Sequence, residues 1–163
     1  MYGQNKADKA LEKAKNAFKG KLDVVVAGDN SQYTLSKDEC CRTFASHHAN
    51  GMDITLPAVS SDDAGLWIKI EVAVTVTSSD LVSVTAASGD LLEGSVYITK
   101  ATDAVANQTE FAADESYDLV FSMNGGTTGG LIGSWAKFTV NDNGYWTVEG
   151  QINGSGSLAT PFS

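Results

Sequence analysis

The chain has 163 residues, 42% of them hydrophobic, which is enough for one domain with a core of its own. Its formal net charge of −9 gives a surface that repels nucleic acid and anionic membranes, so we expect neither as a partner. No apolar run approaches the ~20 residues that span a bilayer. The two cysteines, Cys40 and Cys41, are adjacent and indicate no disulfide framework.

Residues 1–21 form a basic arm in front of an acidic body. The arm holds six lysines against two acidic residues, for a net charge of +4, and the remaining residues carry −13. Apolar side chains at helical spacing predict an amphipathic helix over residues 6–20: Ala7, Ala10, Leu11, Ala14 and Phe18. Such a short helix is marginal alone, so we expect it to dock on the same body, on a sister subunit or on another protein. The lysine-rich start lacks an apolar signal segment, which predicts synthesis in a cytoplasm.

Residues 22–163 predict an all-β body, either a β-sandwich or a jelly roll. Short Val-, Ile- and Thr-rich segments alternate with turn residues, as is typical of these folds. Residues 103–113 are ambiguous between helix and strand. The predicted strands are 22–27, 31–35, 52–56, 66–77, 80–86, 94–99, 117–123, 134–140 and 145–152.

Two local patterns are the clearest. Apolar and polar residues alternate over 68–77, which predicts a strand with one buried and one wet face. Residues 135–140 and 145–149 flank a turn and predict a hairpin. There Asn143-Gly144 is expected to supply the positive φ values of a tight turn.

The glycine-rich stretch 125–134 invites comparison with a phosphate-binding loop. That motif requires a Lys-Ser/Thr pair and the start of a helix after its last glycine. Leu131 and Ile132 and then strand-like sequence follow instead. We therefore predict a turn whose glycines let two backbones pass closely.

Cys40, Cys41, His47 and His48 form the one cluster that resembles a metal site. Adjacent ligands point to opposite faces of a strand, and zinc sites ordinarily separate paired cysteines by two to four residues. A catalytic cysteine would need a base such as His47 beside it. No sequence signature supports such a pair here. We expect no metal, no cofactor and no catalytic residue.

Trp67, Trp135 and Trp146 all fall on predicted strands. We expect them to pack in the core or at an interface, with a carbohydrate-binding platform as the alternative. The acidic residues are scattered in predicted turns, and no clustered aromatic side chains are expected on a strand face beside them.

Five short blocks occur together in an order that resembles a family of small virion structural proteins of tailed phages. The blocks are 54–58, 86–94, 126–133, 144–150 and 154–162, and the resemblance is strongest over 124–163. Members of this family resemble capsid decoration, or cement, proteins and some tail-associated domains. The resemblance implies a β-sandwich or jelly-roll body, no catalysis and assembly on the virion.

We therefore expect a decoration protein that binds the outside of the major capsid protein shell and stabilises it. A homotrimer would match the local three-fold points of such a shell. The basic arm is the expected capsid-binding segment, since it can order on binding and meet an acidic surface. Its candidate contact residues are Lys6, Lys9, Leu11, Lys13 and Phe18.

Three other functions stay open. A tail-fibre or adhesin module would bind a host surface glycan through the tryptophans and exposed loops. A cell-wall hydrolase would need an acid pair or a Cys-His dyad in a cleft. A host β-sandwich protein is disfavoured by the missing signal segment and by the five blocks.

Overall fold

The computed structural model describes residues 24–27, 31–77, 82–100, 107–114 and 118–163. The predicted arm helix, with all five candidate capsid-binding residues, lies outside these ranges. The described residues form eleven strands: β1 Val24–Ala27, β2 Ser31–Thr34, β3 Arg42–Ser46, β4 Met52–Thr55, β5 Trp67–Val72, β6 Val82–Thr85, β7 Leu92–Lys100, β8 Gln108–Ala112, β9 Val120–Met123, β10 Trp135–Val140 and β11 Trp146–Gly154. Two single-turn 3-10 helices, Lys37–Glu39 and Ser61–Asp63, lie between strands.

The strands form two stacked mixed sheets, which confirms the predicted all-β sandwich. A seven-stranded sheet has the order β1-β3-β5-β10-β11-β7-β8, and a four-stranded sheet has the order β2-β4-β6-β9. Five of the nine described pairings are parallel. A jelly roll is built from antiparallel Greek keys, so the topology is that of the sandwich and not of the jelly roll.

The first six strands alternate between the two sheets. β1, β3 and β5 run parallel in the large sheet, while β2, β4 and β6 run parallel in the small one. Parallel neighbours need a crossover between them, and here each crossover passes through a strand of the opposite sheet. The hairpin β10–β11 then enters the large sheet between β5 and β7.

The core lies between the sheets and follows the predicted alternation. In β5 and β10 every second residue is buried, as in Ile68, Ile70 and Val72. The ring of Phe121 in the small sheet packs edge-on against Phe138 in the large sheet, with ring centres 5.5 Å apart. Phe162 also packs edge-on against Phe121, with ring centres 5.5 Å apart. These contacts join the sheets through apolar surface removed from water.

The sequence did not predict β3 and β8, because neither strand has alternating buried and exposed residues. β3 is buried on both faces from Thr43 to Ser46, which removes the period-two pattern. β8 is an edge strand of the described large sheet and is exposed at four of its five positions. It occupies the end of the ambiguous segment 103–113. The predicted strand 66–77 ends at Val72, because Ala73 and Val74 both donate to the Ser46 carbonyl outside the ladder.

The predicted hairpin is confirmed, but its turn differs from the prediction. The loop has five residues, 141–145, and only its Gly144 has a positive φ, of 83°. Asn143 does not, so the prediction that Asn143 and Gly144 both supply positive φ values was wrong. The side-chain oxygen of Asn141 instead accepts hydrogen bonds from the N–H groups of Asn143 and Tyr145, both at 3.0 Å. An Asx turn therefore closes the loop.

The glycine-rich stretch is a close-packed turn, as predicted. A β-carbon on Gly125 would collide with the carbonyl oxygen of Val76, and Gly125 has a φ of 74°. The Asn124 side-chain oxygen accepts the N–H groups of Gly126 and Thr128 and organises the turn. The chain then passes directly into β10, so no helix offers its N-terminus to a phosphate there.

Residues 161–163 close the outer edge of β9. Ser163 exchanges hydrogen bonds with Val120 at 2.8 and 2.9 Å, and the Ser122 N–H donates to the Pro161 carbonyl. This C-terminal segment therefore packs on its own body and covers an edge of β9 that would otherwise be open to another strand.

A comparison of Gly125→Ala with Gly89→Ala separates the cost of a positive φ from the cost of a steric clash. Gly89 also has a positive φ, of 97°, but nothing lies within 4 Å of the point that a β-carbon would occupy, so its replacement should cost only ~1–2 kcal/mol. Gly125→Ala should cost a further ~1–3 kcal/mol because the methyl group meets backbone. Guanidinium unfolding of both variants measures the difference. Equal destabilisation would show that the crowding around Gly125 relaxes freely.

Candidate functional site

The cysteine and histidine pairs lie at opposite ends of β3. Cys40 and Cys41 precede this strand, and His47 and His48 follow it. Five extended residues span roughly 16 Å at about 3.3 Å each, too far for one metal ion or for a Cys-His dyad. The described part of the chain contains no group of three metal-ligating side chains.

The two thiols have different surroundings. Cys40 is buried and its Sγ lies 3.8 Å from the Ser36 carbonyl, whereas Cys41 is exposed with a φ of 62°. Burial is the main cause that raises the pKa of the Cys40 thiol to about 11, with smaller contributions from the nearby Cys41, Glu39 and Asp63. Cys40 is therefore a neutral thiol near pH 7, which is unsuited to nucleophilic attack.

A charged contact beside Cys40 joins the two 3-10 turns. The Lys37 ammonium donates to the Asp63 carboxylate at 2.7 Å. This hydrogen bond, helped by the N–H and hydroxyl of Ser60, lowers the pKa of Asp63 below its usual range. The contact holds two surface loops together. It also pairs the Lys37 ammonium group, which lies near the Cys40 thiol, with the Asp63 carboxylate.

The outer face of the large sheet carries a dense group of aromatic and charged side chains. Its outward positions follow from the pairing register, in which Glu71, Trp135, Gln151, Tyr97 and Glu110 form one row across β5, β10, β11, β7 and β8. A second row contains Lys69, Lys137, Glu149 and Ser95. We call this surface the outer face.

The outer face contains the same three-residue pattern twice. Trp67-Ile68-Lys69 lies on β5 and Trp135-Ala136-Lys137 on β10, and the two strands are antiparallel. Lys69 is directly opposite Lys137, which would be unfavourable if both ammonium groups stayed in place.

Each lysine of this pair turns toward the other strand's tryptophan. The Lys69 Nζ lies 5.2 Å from the Trp135 ring centre and 2.6 Å from a Glu71 carboxylate oxygen. The Lys137 Nζ lies 5.9 Å from the Trp67 ring centre and 3.8 Å from Glu149. These cation–π contacts and ion pairs separate the two like charges and hold the tryptophan rings in place.

Two shallow depressions lie on the outer face, and Glu149 lines both. The larger, of about 380 Å³, is bounded by Tyr97 and Trp135, with Gly150 and Gln151 between them and Ser95 and Gln108 at its sides. The smaller, of about 330 Å³, is lined by Lys137, Thr139, Val140, Asn141 and Thr147. Small-molecule sites are usually concave and bury most of the ligand. A shallow surface of polar and aromatic side chains is therefore better suited to an extended ligand.

The three tryptophans divide between core and surface. Trp146 is fully buried, as expected for core packing. Trp67 and Trp135 are half-buried on the outer face, together with Tyr97, which is 46% exposed. The expectation that no aromatic side chains cluster on a strand face was wrong. Trp67 and Trp135 are far apart along the chain, and only the pairing of β5 with β10 brings them to one surface.

Comparisons with known proteins returned no relative: no family model, no curated protein and no solved structure matches the chain. In the described ranges, no helix has the length and apolar character needed to cross a membrane.

Thiol labelling tests the difference between the two cysteines. At pH 8 we expect iodoacetamide to modify Cys41 in the native protein and to reach Cys40 only on unfolding, because the Cys40 thiol is buried and protonated. Mass spectrometry of peptides counts each adduct. The control is Cys41→Ser, which should remove all fast labelling. Rapid modification of Cys40 in that variant would contradict the assignment.

Proposed function

We propose that this chain is a non-enzymatic structural protein of a tailed-phage particle that decorates and stabilises the outside of the capsid. The observation that carries the proposal is where the five blocks of the resemblance lie in the fold. Pairs of blocks meet at hydrogen bonds and close backbone contacts between strands, which supports treating them as parts of one framework.

The first two blocks meet through a buried acid. Asp90, in the block 86–94, accepts a hydrogen bond at 3.0 Å from the N–H of Val59, directly after the block 54–58. The Leu56 N–H donates to the Thr85 carbonyl beside the same joint. Buried carboxylates are kept where such bonds satisfy them, so Asp90 supports a structural role for this block.

The remaining blocks are joined by a close backbone contact and by backbone hydrogen bonds. Gly94 packs so closely on Val148 of the block 144–150 that a side chain there would strike the Val148 carbonyl. The Ser155 N–H donates to the Gly126 carbonyl at 3.0 Å, and the Ala159 N–H donates to that of Thr127 at 3.0 Å. These bonds tie the last block to the glycine-rich turn.

The charge distribution supports attachment through the arm. The body carries −13 and the arm +4, so the arm can contact an acidic shell that would repel the body. On this proposal the arm orders on the major capsid protein, and three copies assemble at a local three-fold point. Such an arrangement would place the protein on the virion surface after synthesis in the host cytoplasm.

Counting copies in purified particles tests the proposal first. Heads and tails are separated, and the chain is quantified by mass spectrometry against the major capsid protein. We expect near-stoichiometric amounts on heads, as repeated binding to every local three-fold point requires. A few copies confined to tails would overturn the decoration proposal.

Full-length variants test the arm. Leu11→Asp together with Phe18→Asp should reduce head occupancy at least tenfold, because a charged stripe no longer packs on the shell. The control is Lys69→Gln with Lys137→Gln on the outer face, which changes the net charge by the same −2 and should leave occupancy unchanged. If a chain beginning at Leu22 decorated heads as well as the full chain, the arm would have no part in attachment.

A glycan-binding adhesin module is the second candidate function. The specific observation in its favour is the pair of aromatic side chains on the outer face, the half-buried Trp135 and the exposed Tyr97, which border one depression. Aromatic rings beside amide and carboxylate groups suit the apolar faces and hydroxyl groups of sugars. The two functions are compatible, since a decoration protein attached by its arm would leave this face free.

A further inference from the structure

The larger depression on the outer face has a defined row of side chains along its length. Trp135, Gln151 and Tyr97 occupy neighbouring positions on β10, β11 and β7. Neighbouring strands lie about 4.8 Å apart, so the backbone positions that carry the two rings are about 10 Å apart across the strands. That distance is about the repeat of two linked sugar units, so alternate sugar rings of one chain would each meet an aromatic side chain.

Trp135 is held in place from the side opposite the depression. Lys69 reaches its ring from β5, whereas the depression is bounded by side chains of β11, β7 and β8. Gly150 lets β11 approach closely, since a β-carbon there would lie 2.6 Å from the Trp135 carbonyl oxygen. The ring therefore does not need to be ordered by a ligand, which lowers the entropic cost of binding.

The polar groups of the depression match hydroxyl groups. Gln108 and Gln151 offer amide donors and acceptors, and Glu149 offers carboxylate acceptors. Glu149 is balanced by Lys137 at 3.8 Å, and the nearby Glu110 accepts the Ser95 hydroxyl at 2.7 Å. Among the described residues no cationic side chain lines this depression, and the net charge of the chain is −9, so anionic sugars would be repelled.

We infer that this depression binds an uncharged glycan chain laid across the strands, in which one sugar ring contacts Trp135 and another contacts Tyr97. The inference deepens the second candidate function, and it does not depend on attachment to a capsid. A protein partner is the other possible occupant, but the separation of the rings and the shallow, hydroxyl-matching walls favour a sugar chain.

Titration of the full-length protein with uncharged oligosaccharides tests the inference. The probes are the tetramers of β-1,4-glucose, β-1,4-N-acetylglucosamine, α-1,4-glucose and β-1,4-mannose, with a sulfated tetramer as the anionic counterpart. Binding is followed by two-dimensional NMR and by calorimetry. We expect at least one uncharged tetramer to bind at millimolar concentration or better and to shift the signals of Tyr97, Trp135 and Gln151, and the sulfated tetramer to bind more weakly.

Three variants locate the site. Tyr97→Ala removes a ring that is 46% exposed, so the fold should persist while affinity falls at least tenfold. Trp135→Ala should have the same effect. Trp67→Ala is the matched control, because Trp67 is half-buried on the same face but lines neither depression. It should change the affinity less than twofold.

Three outcomes would overturn the inference. These are binding of no uncharged tetramer by the folded protein, equal binding by Tyr97→Ala, or preference for the sulfated tetramer. Normal head decoration together with absent sugar binding would reject the glycan site alone. Sugar binding without head decoration would reject the capsid proposal and leave the site in place.

Discussion

The large sheet depends on two strand pairings, that of β10 with β5 and that of β11 with β7. Among the described residues, β1-β3-β5 and β7-β8 share no ladder, and the hairpin alone connects them. The parallel ladder between β11 and β7 runs for nine residues, from Trp146 opposite Leu92 to Gly154 opposite Lys100. Because these strands are distant in the chain, their pairing must offset a large loop-closure entropy, which long ladders and buried side chains do.

The same pairing creates the outer face. β5 and β10 bring Trp67 and Trp135 to one surface and place Lys69 against Lys137. The repulsion between the two ammonium groups is relieved by the tryptophan rings and by flanking carboxylates. β11 and β7 extend this surface to Tyr97. A single hairpin therefore completes the core on one side and assembles the candidate site on the other.

Framework and surface carry different functional information in this protein. The five blocks on which the capsid proposal rests contain joints of the framework, such as Asp90 with Val59 and Gly94 against Val148. The outer face uses the alternate positions of the same strands, as in Ser95 next to Gly94 and Glu149 next to Val148. Capsid attachment through the arm and sugar binding through the outer face are thus separable proposals, each with its own variants and readout.

Local chemistry in the sequence was sufficient to predict the all-β class, the β10–β11 hairpin, the alternation of β5 and the close-packed glycine turn. These features depend on residues within a few positions of one another. β3 was missed because burial on both faces erases alternation, and the Asx turn at Asn141 displaced the expected turn at Asn143-Gly144. The row from Trp135 to Tyr97 depends on strand order, which no local pattern encodes. Only the tertiary structure decided which distant strands became neighbours, and with them the candidate site.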